Sequence, residues 1–187
     1  MTSELLWYAS RATGVASIVL LTAIVVLGTL LSGRRARPAT AAVRTALHRW
    51  LSLGMVVFLV VHIVTAVSEG FVKIGWLAVV VPFVSGWQPG WVGLGALAVD
   101  LMVALLVTSW LRPRLPERAW RAVHWAAYAL WPLALVHGLM LGTANEPVLR
   151  GVTIACAAAG ASFVAWRSLS SPADRNRRRD VLAGEWS

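Results

Sequence analysis

The four histidines are the residues in this 187-residue chain whose type and spacing most clearly point to chemistry. His48 and His62 stand 14 positions apart and His124 and His137 stand 13 apart, inside two apolar stretches, residues 48–67 and 121–141. At about 1.5 Å rise per residue, a helix holds each such pair roughly 20 Å apart. One imidazole then falls towards each face of a hydrocarbon layer about 30 Å thick. Two such helices side by side present two facing histidine pairs, one above the other. An imidazole in hydrocarbon needs a partner for its ring nitrogens, so it is a functional hypothesis by default. Porphyrin iron takes two axial ligands, and facing helices of a bundle can supply both. Two such groups, stacked, would make an electron path across the bilayer. The competing reading is that the four are hydrogen-bonded structural residues or mark a proton pathway.

The elements that must position them follow from composition. Hydrophobic residues make up 58% of the chain and charged residues 13%, with a mean hydropathy of +0.71. That leaves too little polar covering for a soluble domain, and the expected fold is an all-α integral membrane bundle. Five spans are predicted, at about 12–31, 48–67, 91–111, 121–141 and 148–166. The first is no signal peptide: Glu4 precedes it and Arg34 and Arg35 follow it, the reverse of the usual charge order. Residues 71–89 are apolar in part but too short to cross, with Pro82 and Pro89 interrupting them, and read as an interfacial or re-entrant lid over the nearer cofactor site. Residues 1–169 form one membrane domain, and 170–187 a basic, poorly ordered tail. The single cysteine, Cys156, excludes an intramolecular disulfide framework and a thiolate-held iron–sulfur cluster.

The net charge of +9 is distributed as orientation signals, and no nucleic-acid partner is predicted. Five arginines lie in 32–49, four in 112–121 and five from Arg167 onward, against Arg11, Lys73 and Arg150 on the other side. The positive-inside rule then places the N-terminus outside and the C-terminus in the cytoplasm. His48 and His124 share the inner level, and His62 and His137 the outer one. Arginine outnumbers the one lysine sixteen to one, which fits a GC-rich bacterial genome and so a multi-pass protein of the bacterial inner membrane.

Other candidates depend on these four. Met55 lies seven residues from both His48 and His62, and Trp131 seven after His124, so both could line the space between two haems; such residues are also ordinary packing. Arg44, Arg49 and Arg121 near the inner histidines, and Arg11 near the outer ones, could pair with haem propionates or snorkel to headgroups. Gly54 could admit a porphyrin to the backbone. Asp100, the one acid well inside a span, could carry protons, bind a quinone or accept bonds from neighbouring hydroxyls. At 100° per residue a separation of 13 leaves about 140° of mismatch between His124 and His137. A distortion around residues 128–132, caused by Pro132, is therefore expected.

Both histidine spacings, the stretch Ala119-Trp120-Arg121-Ala122-Val123-His124 and the stretch Trp131-Pro132-Leu133-Ala134-Leu135-Val136-His137-Gly138 carry a resemblance. From about Trp7 to Trp166 the chain resembles the ferric reductase-like transmembrane domain family, which includes the membrane part of NADPH oxidases. The resemblance implies two b-type haems, with His48 paired to His124 and His62 to His137, and an oxidoreductase subunit. Complete reductases of that family continue into a flavin and nicotinamide domain. Here about 20 residues follow the last helix, with no glycine-rich dinucleotide fingerprint, so no FAD or NAD(P) site is expected. Similarity to stand-alone bacterial members implies a separate flavoprotein or a quinol as donor, and an extracytoplasmic ferric chelate, flavin or redox protein as acceptor. Bacterial members often have six helices against the five counted here. Two rivals are a quinone-linked cytochrome b anchor of a soluble oxidoreductase and a haem-free metal transporter.

Overall fold

Long runs of Leu, Val, Ala and Ile give the chain its helices, and prolines and glycines punctuate them. A computed structural model describes residues 2–31, 38–142 and 146–184. It contains α1 (Thr2–Leu31), α2 (Pro38–Ser68), α3 (Leu77–Val80), α4 (Pro89–Trp110), α5 (Glu117–His124), α6 (Ala127–Leu141) and α7 (Pro147–Gly184). Arg34, Arg35 and most of the connection after Gly142 lie outside the described residues. The described residues are helical or irregular, with no strand, and the protein is a helical membrane bundle.

Three helices are longer than the apolar runs that announce them. α1 begins about ten residues before the apolar run, with Glu4 in its first turn, where a carboxylate favours the helix N-terminus. α2 begins at Pro38, a residue whose fixed φ suits a first helical position. The stretch to Arg49, ahead of the span predicted to start at about residue 48, is rich in Ala and continues as helix. α7 likewise runs through the basic segment to Gly184, beyond the expected end near 166.

Among the described residues four helices, α1, α2, α4 and α7, are long and apolar enough to cross a membrane. The second histidine stretch is divided, and its longer part, α6, has 15 residues. The break falls at Trp125 and Ala126, just before the expected position. There the Ala126 N–H donates to the Val123 carbonyl at 2.9 Å and the Tyr128 N–H to the Trp125 carbonyl at 3.1 Å, a tightened i to i−3 pattern. Pro132 lies inside α6 and has no N–H for the Tyr128 carbonyl, but residues 128–132 stay helical and the break comes six to seven residues, nearly two turns, before the proline. His124 thus ends one helix and His137 lies in the next, and the 13-residue spacing no longer has to fit one straight α-helix.

α1 packs against α2, α6 and α7, while α4 packs against α6, α5 and α3. Leu21, Ile24, Val25, Met55, Ala98, Met102, Leu105 and Leu130 form the shared core. On α2 the residues Leu53, Val57, Val60 and Val64 face outward, as a lipid-facing surface requires. Residues 70–88 form the irregular segment around α3. Gly75 and Gln88 have positive φ at its turns, and Phe83, also at positive φ, packs onto Gly93 of α4.

Candidate functional site

The link between α1 and α2 is six residues, so the two helices run antiparallel. A step of seven residues returns to nearly the same helix face, within about 20°. Gly14, Leu21 and Gly28 therefore line one face of α1, and His48, Met55 and His62 one face of α2. The packing matches them in reverse order. Gly14 lies against the His62 ring and Gly28 near His48 Cε1, and Leu21 and Met55 belong to the same buried cluster. The histidine spacing on α2 is thus answered by a glycine spacing on α1.

The four imidazoles come together as two pairs. The ring centres of His48 and His124 are 6.4 Å apart and those of His62 and His137 are 6.3 Å apart. We call the first pair the lower level and the second the upper level. An iron held between two imidazoles, about 2 Å from each nitrogen with each ring centre about 1.1 Å further back, would separate the centres by about 6.2 Å. Both pairs therefore fit a bis-histidine haem iron. Among the described residues no three or more His, Cys, Asp or Glu side chains gather to hold a bare metal ion.

At the upper level each ring is anchored. His62 Nδ1 lies 2.7 Å from the Ser10 carbonyl oxygen and His137 Nδ1 lies 2.8 Å from the Trp91 carbonyl oxygen. A carbonyl can only accept, so each Nδ1 carries the proton and donates it, leaving Nε2 with a free lone pair. This is the arrangement that orients a metal-ligating histidine and makes it more basic. At the lower level Nδ1 of both His48 and His124 is buried without a hydrogen-bond partner. His124 instead stacks on Trp120, with ring centres 4.7 Å apart and planes 22° apart, and the Arg112 guanidinium lies 4.3 Å over that indole.

A cavity opens around the upper pair. Gly14, Gly95, His62 and His137 line it, and so do Val72, Ile74, Ala78, Val79 and Trp87 from the irregular segment. That segment covers the upper site. At the same end Arg11 donates from a guanidinium nitrogen to the Leu141 carbonyl at 2.5 Å and lies 5.3 Å over the Trp7 ring, while its Nε is buried without a partner. Glu69, just beyond α2, is buried beside Arg11 and one of its carboxylate oxygens has no partner. Burial raises the Glu69 carboxyl above the usual carboxylate range, against the opposing pull of Arg11.

Other expected residues divide clearly. Met55 is buried between the two levels, and Trp131 is held there by a 3.0 Å bond from its Nε1 to Thr22 Oγ1. Arg121 pairs with Glu117 on the exposed face of α5, away from the histidines. Arg49 is exposed and Arg44 half-buried, neither with a described partner. Asp100 is half-buried on α4 and does not line the cavity. At Gly54 an added methyl would meet only Leu20, at 4.0 Å, so this glycine makes no close approach. The glycines packed tightly against histidine rings are Gly14 and Gly95, which sequence reading missed together with Arg112, Trp120 and Glu69. The seven-residue repeat Gly14-Leu21-Gly28, mirroring His48-Met55-His62, was the available signal.

The family model described as ferric reductase like transmembrane component matches residues 13–135. The chain belongs to that family. The match takes in His48, His62 and His124 and ends two residues before His137. No curated protein and no solved structure matches the chain. As a ferric reductase-like membrane domain it is a multi-pass membrane protein of transmembrane electron transfer, working with redox partners.

Proposed function

We propose that the chain is the haem-binding membrane subunit of a ferric reductase-like system, with two b-type haems, one ligated by His48 and His124 and one by His62 and His137. The observation that carries this reading is the pair of ring separations, 6.4 and 6.3 Å, at two depths of one bundle. Bound there, each haem would supply a one-electron iron couple. The remaining roles belong to the chain. The carbonyls of Ser10 and Trp91 hold the upper imidazoles in their ligating tautomer. Trp120 and Arg112 brace the lower one, and Met55 and Trp131 exclude water between the levels. Arg11, with an unpartnered Nε at the upper cavity, is the group to meet a propionate there.

In this reading the membrane is the bacterial inner membrane, and the arginine distribution supports a cytoplasmic lower level and an outer upper level. A separate flavoprotein or a membrane quinol gives one electron at the lower level and is oxidised. A ferric chelate, flavin or redox protein takes it at the upper level and is reduced. Outward transfer also leaves the negative interior, worth about 2.3 kcal/mol per 100 mV. A metal transporter would need more donors around one ion than the two histidines that meet at each level among the described residues.

The test is a dithionite-reduced minus oxidised spectrum of the detergent-purified protein, with haem quantified per chain. We expect two low-spin haems per chain, with His62→Ala and His124→Ala each losing about one. Haem-free protein after haem-replete expression would overturn the reading.

A further inference from the structure

The upper histidines share a local arrangement. His62 meets the carbonyl of Ser10, and Gly14 stands four residues on; His137 meets the carbonyl of Trp91, and Gly95 stands four residues on. In an α-helix each Cβ leans towards the N-terminus, so the side chain at i+4 lies over the turn that holds carbonyl i. That carbonyl already accepts the N–H of residue i+4, but its oxygen has a second lone pair. Only a missing side chain at i+4 lets an imidazole from a neighbouring helix reach it. The distances show how tight the fit is. A methyl built on Gly95 would stand 2.5 Å from His137 Cε1 and 2.6 Å from its Nδ1, and one built on Gly14 would stand 2.9 Å from His62 Nδ1.

The lower level supplies the internal comparison. Ile24 and Gly28 repeat the Ser10 and Gly14 pair fourteen residues along α1, opposite His48. There a methyl on Gly28 would lie 3.9 Å from His48 Cε1, an ordinary contact, and His48 Nδ1 faces the Ile24 carbonyl without closing to a normal hydrogen bond. The same motif thus closes tightly onto both upper rings and only loosely onto His48.

We propose that Gly14 and Gly95 are positioning residues for the upper histidine pair: by baring the Ser10 and Trp91 carbonyls they let each imidazole donate from Nδ1, which increases ligand electron donation and lowers the reduction potential at that level. This rests on the haem reading above and extends it to residues that touch no iron. Outer partners of ligating histidines change metal affinity about 10- to 100-fold when lost. A methyl at either glycine displaces the ring from its carbonyl. The ligand then donates less, and the reduced state gains.

The experiment uses the full-length protein in detergent, with haem counted per chain, and potentiometric titration on a His124→Ala background so that only the upper haem reports. Gly95→Ala, in the otherwise intact chain, should lower upper-haem occupancy about tenfold under dilution while the lower haem is kept. Gly14→Ala, the gentler change, should retain haem and shift its reduction equilibrium upward by about tenfold, which is about 59 mV for one electron. Gly151→Ala on α7, where nothing lies within 4 Å of the added methyl, controls for substitution itself. An unchanged upper potential in Gly14→Ala, or loss of both haems together in either variant, would overturn the inference. Haem-free wild-type protein would instead overturn the haem reading itself, so the two failures are distinguishable.

Discussion

The two histidine levels have nearly equal ring separations and unlike surroundings. The upper rings are tied to backbone carbonyls of α1 and α4 and face a cavity partly lined by the segment 70–88. The lower rings have buried, unpartnered Nδ1 atoms, and one of them leans on a Trp120–Arg112 stack. An unsatisfied buried donor costs about 1–3 kcal/mol, so the lower level is the looser of the two. Equal separation comes from the shared helix packing. Unequal anchoring comes from the different residues each helix offers, close-packed glycine above and aromatic below. One bundle can therefore hold the same histidine pair twice and still give it two surroundings.

Three changes would break or sharpen this contrast. The largest effect is expected for Met55→Ala, because Met55 is 3% exposed at the core between the levels. Removing its side chain should cost about 2–5 kcal/mol, lower the thermal midpoint in detergent and loosen both levels alike; loss confined to one level would show that they do not share this core. Next comes Trp120→Leu, which removes the stack on His124. We expect about 1 kcal/mol, read as faster loss of the lower haem with the upper haem unaffected. Equal loss at both levels would erase the distinction between stacked and hydrogen-bonded anchoring.

The smallest effect belongs to Glu69 at the upper end. Because burial raises its carboxyl, the folded protein binds that proton more tightly than the unfolded chain does. The group's contribution to stability is then fully present below the ordinary glutamate value and is lost as pH rises through the raised one. Glu69→Gln should accordingly melt higher than wild type at pH 8, by less than about 1 kcal/mol, and show no advantage at pH 4. The opposite sign would mean that the Arg11 attraction outweighs burial.

Much of the bundle was legible from residue patterns alone. Apolar runs located the helices α1, α2, α4 and α7, and their lengths identified crossing elements. Fourteen- and thirteen-residue spacings singled out four histidines that do meet as two pairs. Helix ends were less legible, since Pro38 and the basic stretch after it read as punctuation where alanine-rich sequence sustains the helix. A distortion of the second histidine stretch was expected around residues 128–132, yet the helix is regular there and breaks earlier, at Trp125 and Ala126. Arg121 looked close to His124 along the chain, but three residues of helix aim it at Glu117, while Arg112 reaches over Trp120 from before the bend.

Sequence by itself determined the membrane character, the helical class and the identity of the paired histidines, because hydropathy and helical repeat are local properties that each segment carries alone. Tertiary structure decided which carbonyl each ring meets, which glycines matter and which arginine stands near a histidine. Those depend on the register between helices, where a shift of one residue turns a side chain by about 100°.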